Sequence, residues 1–140
     1  MGEPRAVTDV MRLHTPDGLP VQATWIYQPN DPLAVTVEFD VDPNQTIAWT
    51  FARDLLAGGL HRRAGVGDVV VFPARAIGYP GRTALVLRSP GEGEVVLLAA
   101  TTALARFVGR TMAWVPAGGE GPRLNVDRVI ARIFAETGAA

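Results

Sequence analysis

The chain has 140 residues, enough for one domain around one core and too few for two. Hydrophobic residues make up 48% and charged residues 19%, which excludes a disordered chain, and the formal net charge of −1 argues against a general nucleic-acid coat. Cys is absent and all 13 basic residues are Arg, so disulfides, thiolate chemistry, cysteine-ligated zinc and lysine Schiff bases are excluded together. No apolar run approaches the roughly 18 residues that span a bilayer, so no membrane insertion is expected. The opening MGEPRAVTDV lacks the apolar centre of a signal peptide, and a cytoplasmic protein is expected.

Charge is unevenly spread. Through Asp42 there are 7 acidic and 2 basic residues, a net of −5; from Pro43 onward 7 acidic and 11 basic residues give +4. In chain order, Val7 to Leu13 reads as a first strand, and Thr15-Pro-Asp-Gly as a turn in which Pro16 presets φ and Gly18 tolerates positive φ. Val21 to Tyr27 returns, with Val21, Ala23, Trp25 and Tyr27 on one face. After Pro29-Asn-Asp-Pro, Ala34 to Val41 alternates cleanly. Val35, Val37, Phe39 and Val41 share one face, while Thr36, Glu38 and Asp40 make the other, which is expected to meet solvent or a partner.

The stretch Gln45 to Arg75 follows without spacers. Thr46 to Trp49 predicts a fourth strand, and Thr50 is placed to cap a two-turn helix beginning at Phe51. Phe51, Ala52, Leu55 and Leu56 form its apolar stripe, and Arg53 and Asp54 are expected to point outward. Gly58-Gly59 predicts a left-handed C-cap, with Leu60 folding back on Leu55. So short a helix is unstable alone and must dock on a sheet.

His61-Arg62-Arg63 is a basic loop suited to an anion or an acidic partner, although a merely solvated loop reads as well. Asp68 to Ala76 predicts a strand buried on both faces, with Pro73 turning its far end into an edge or a bend. Thr83 to Arg88 and Glu94 to Ala99 predict two more strands around Ser89-Pro-Gly-Glu-Gly. Thr101 to Val108 predicts a helix stopped by Gly109. A loop from Pro116 to Pro122 precedes a strongly amphipathic helix capped by Asn125, with Val126, Val129, Ile130, Ile133 and Phe134 on one face. The fold class expected is α+β: two antiparallel sheets from strands-then-helix repeats, ββββα then βββα, plus the C-terminal helix.

Catalytic chemistry finds little to work with. The only histidines are His14 and His61 and the only serine is Ser89, so no nucleophile triad assembles. Asp40-Val-Asp-Pro-Asn begins like a calcium loop, but Gln45 stands where Gly is needed and Phe51 where a bidentate Glu is needed. Gly91-Glu-Gly93 and Gly118-Gly119 lack the context and the Lys of a phosphate cradle. No enzyme, no metal and no cofactor is expected.

Phe51-Ala-Arg-Asp-Leu-Leu, then Gly59-Leu60, Gly67-Asp68-Val69 and Val71-Phe72-Pro73, with Asp31-Pro32 ahead of the third strand, resembles the signature of the SsgA-like proteins, actinobacterial regulators of sporulation-specific cell division. The resemblance runs from about Val7 to Ala135 and implies one SsgA-like domain over residues 1–140. It implies a non-enzymatic role in positioning the division machinery at the septum, with FtsZ and other SsgA-like or division proteins as partners. It implies a Whirly-like fold and a homotrimer as well. Arg53, Asp54, His61, Arg62 and Arg63 are the residues of the stretch that packing leaves over for a partner. The alternative is a single-stranded nucleic-acid-binding module on a sheet face. Against it, the aromatics Trp25, Tyr27, Trp49 and Phe51 suit the core and Glu38 and Asp40 repel phosphate.

Overall fold

A computed structural model describes residues 6–119. Seven strands, β1 (Val7–His14), β2 (Pro20–Tyr27), β3 (Ala34–Asp42), β4 (Gln45–Ala52), β5 (Val69–Pro73), β6 (Arg82–Ser89) and β7 (Gly93–Ala100), form one sheet in the order β4-β3-β2-β1-β7-β6-β5. Every pairing in it is antiparallel. Helix α1 (Arg53–Gly59) follows β4, a 3-10 turn (Ala74–Ile77) follows β5, and helix α2 (Thr101–Trp114) follows β7.

The expectation of two sheets is corrected. The two meanders join where β1 lies beside β7, with His14 opposite Leu98. Each meander alone would leave β1 or β7 as an edge, and the pair of His14 with Leu98 ties the two edges together. Hairpin chemistry is local and a pairing across more than eighty residues is not, so this seam was invisible in the turns.

Antiparallel registers keep odd residues opposite odd ones, and that parity defines the two faces. The inner face carries Leu13, Trp25, Tyr27, Val35, Val37, Phe51, Leu85 and Leu97, all buried, with Leu56 of α1 and Leu104 and Phe107 of α2 packed on them. Trp25 sits at the centre, 6.3 Å from Phe51 in a T-shaped contact and 6.1 Å from Phe107. On the outer face a small second cluster of Ala74, Ala84 and Leu98, flanked by Phe72, Tyr79 and Val96, lies beneath the 3-10 turn. Pro73 ends β5 before that turn, earlier than the Ala76 expected, and Gly78 closes it at φ 96°.

Both helices depart from expectation at their ends. β4 runs through Phe51 to Ala52, so α1 begins at Arg53 with Ala52 at its N-cap and no side-chain cap. Thr50 instead shares a hydroxyl hydrogen bond of 2.8 Å with Thr36 across the β3–β4 pair. Neither Gly58 nor Gly59 adopts positive φ, and α1 closes at Leu60 in the right-handed region. Gly59 is demanded by proximity: a Cβ there would stand 2.2 Å from Val71 Cγ1. α2 runs past Gly109 to Trp114, because Thr111 and Met112 beyond the glycine pack on the core. That tertiary contact outweighs the roughly 1 kcal/mol that Gly costs in a helix. The amphipathic segment from Asn125 lies outside the described residues.

Candidate functional site

The α1 segment sorts its polar residues by depth. Arg53 is 1% exposed, which corrects its expected outward orientation and removes it from any surface a partner could touch. Its Nη1 donates to the carbonyls of Val115 at 2.6 Å and Thr111 at 3.2 Å, and its guanidinium lies 5.0 Å from the Tyr27 ring centroid. The carbonyls at the C-terminal end of a helix carry the partial negative charge that suits a buried cation. Tyr27 is held in turn, donating from its hydroxyl to the carbonyl of Pro32 at 3.1 Å. The core helix stripe is also rearranged: Leu56 is fully buried, whereas Leu55 is half-buried.

Asp54 is exposed in the first turn of α1, where a carboxylate complements the positive end of the helix. His61, Arg62 and Arg63 are exposed together beyond the other end, about 10 Å along the axis. Asp54 and the basic cluster are therefore separate features, one at each end of the helix. The basic loop is pinned at both sides. The N–H groups of His61 and Arg62 both donate to the carbonyl of Gly58 at 3.0 Å, and two residues later Ala64 exchanges backbone hydrogen bonds with Val71 at 2.8 and 2.9 Å. The guanidinium of Arg63 lies 5.3 Å from the Phe72 ring centroid. The three exposed basic residues thus sit on a short, anchored bend beside β5.

Among the described residues no group of three His, Cys, Asp or Glu residues could hold a metal ion. A shallow depression of about 250 Å³ lies on the outer face between β2 and β3, lined by Ile26, Gln28, Asp31, Ala34, Thr36 and Glu38. Neither His14 nor His61 reaches it. No described helix is long and apolar enough to cross a membrane. What sequence reasoning missed was the role of Arg53, since nothing at position 53 announces that a helix sixty residues later will end on it.

The family profile for the Streptomyces sporulation and cell division protein SsgA matches residues 21–120. The sporulation-specific cell division protein SsgB of Streptomyces coelicolor is 45% identical over 119 residues, spanning 85% of both chains. SsgB of Frankia casuarinae is 37% identical over 126 residues, covering 89% of this chain and 87% of its own. A solved structure tied to SsgB mutations that correlate to longitudinal cell division during sporulation of Streptomyces coelicolor superposes with a TM-score of 0.80 at 39% identity, covering 89% of this chain and 99% of the other. The SsgA-like sporulation-specific cell division protein from Thermobifida fusca YX-ER1 superposes at 0.77 with 32% identity, covering 94% and 98%. The chain belongs to the SsgA family of sporulation and cell division proteins.

Proposed function

We propose that this protein is a non-enzymatic regulator of sporulation-specific cell division that helps localise the septation machinery, including recruitment of FtsZ, through protein–protein contacts. The observation that carries the reading is the 45% identity, over 85% of both chains, to a protein named for that process. In this reading residues 1–140 act as one cytoplasmic domain of Whirly-like kinship, assembled as a homotrimer and brought to the septum by its partners. The anchored, exposed loop of His61, Arg62 and Arg63 is the contact we assign to an acidic partner surface, with Asp54 at the far end of the same helix as a second point. Its bend is held by the backbone bonds to Gly58 and Val71, so little ordering cost is left for binding.

A fluorescent fusion of the full chain, followed through septation, is expected to concentrate at septa, and purified chain is expected to retain FtsZ in a pull-down. Diffuse fluorescence throughout septation, together with no retention of FtsZ or of any SsgA-like protein, would overturn the reading.

A further inference from the structure

The seven-stranded sheet ends on two edges that are treated differently. β5 has five residues, finishes at Pro73 and is engaged along its outer side by Ala64, which bonds to Val71 through both backbone groups. β4 has eight residues, QTIAWTFA, with no charge, no Pro and no Gly. Among the described residues nothing pairs with its outer side. Gln45 to Ala48 and Thr50 are exposed, and Trp49 is half-buried. Every second residue of an antiparallel edge strand turns its N–H and C=O away from the sheet, and such edges are ordinarily blunted by charge, proline or a covering segment. β5 is blunted in two of these ways and β4 in none.

The two faces beside β4 differ in chemistry. On the inner face Ile47, 40% exposed, continues with Trp49 as an apolar strip. On the outer face the β4 side chains are short, Thr46 and Ala48, and just beyond them on β3 stand Asp40 opposite Thr46 and Glu38 opposite Ala48. Neither carboxylate forms an ion pair among the described residues.

We propose that the free edge of β4 receives an extended segment of a partner protein by strand addition, in which apolar side chains alternate with arginine or lysine. The apolar positions lie against Ile47 and Trp49, and the basic ones cross the small Ala48 and Thr46 to Glu38 and Asp40. An added strand lies roughly 10 Å from β3, two interstrand spacings. An outstretched Arg or Lys tipped with a charge-assisted hydrogen bond covers that distance. Main-chain bonds supply affinity in this mode and the alternating side chains supply specificity. Pairing with a second copy through its β4 or β5 fits less well: its own β4 brings no basic residue to Glu38 or Asp40, and its β5 is already engaged. β4 and β5 are the two ends of the strand order, and the proposal uses none of the residues of the His61–Arg63 loop.

The test uses the full chain with two capped synthetic peptides, one alternating valine with arginine and one alternating valine with glutamate. The readouts are amide hydrogen exchange across Thr46–Thr50 and affinity by titration. The valine–arginine peptide is expected to slow exchange of the outward amides about tenfold or more, and to bind about tenfold tighter than the glutamate peptide. Glu38→Gln with Asp40→Asn should erase that preference. Ala48→Lys, which places a charge on an exposed edge position, should abolish protection by either peptide with the melting temperature unchanged. Equal affinity for both peptides, or no protection of Thr46–Thr50, overturns the proposal. So does protection without peptide: if it grows with protein concentration a second copy occupies the edge, and if it is constant another part of this chain does.

Discussion

Arg53 Nη1 donates to the carbonyl of Val115 at 2.6 Å, joining the junction of β4 and α1 to the residue that ends α2, sixty-two positions later. The same side chain also reaches Thr111 and stacks on Tyr27, so one guanidinium closes the end of the inner face where both helices meet the sheet.

Replacing Arg53 with Ala is expected to strand buried carbonyls and open a cavity, lowering stability by about 3 kcal/mol. In a domain of this size that corresponds to a melting temperature about 10 °C lower. Arg53→Lys keeps the charge but not the planar fork or the stacking, and should fall between the two. Thermal denaturation of the three proteins checks the order; an unshifted Arg53→Ala would remove the structural role assigned here.

Gly58 and Gly59 are adjacent but should respond in opposite directions. A Cβ at Gly59 would stand 2.2 and 2.4 Å from Val71 side-chain atoms, whereas at Gly58 the nearest atom is 3.6 Å away. Gly59→Ala is therefore expected to cost about 1–3 kcal/mol by forcing α1 off β5. Gly58→Ala, within a helix and with space around it, is expected to be neutral or to stabilise by up to about 1 kcal/mol. Chemical denaturation of both variants decides this.

Leu56 and Leu55 separate core from rim in the same helix. Leu56→Ala empties a fully buried site and should cost about 2–5 kcal/mol. Leu55→Ala, at a half-buried position, should cost about half as much. Equal losses would mean that α1 is rotated relative to the packing described.

Charge reversal at Arg62 and Arg63 should leave folding nearly intact, since both side chains are exposed. Arg63 alone carries a ring contact, worth about 0.5–1 kcal/mol at an exposed site. The double variant is expected to lose FtsZ retention in the pull-down while melting within a few degrees of the parent. Full retention would return the loop to a solvated bend.

Much of this fold was legible in residue order. The alternation in Ala34 to Val41, the Pro and Gly turns and the burial of Trp25 and Tyr27 follow from period-two patterning and turn chemistry. The strand boundaries observed differ from expectation by a residue or a few, because hydrogen-bonded pairing extends as far as a partner strand continues. The basic loop was legible as an unburied cluster, since three consecutive polar residues after a helix have nowhere apolar to go.

By itself the sequence determined that this protein has no thiol and no lysine, and it determined which faces of β2 and β3 turn inward. Only the tertiary structure decided that the two meanders share one sheet, that Arg53 is an internal clasp rather than a contact, that Gly59 is there for Val71, and that nothing among the described residues pairs with the outer side of β4. The reason is physical. Periodicity and turn chemistry act between near neighbours, while edges, close approaches and buried charges are settled by residues far along the chain.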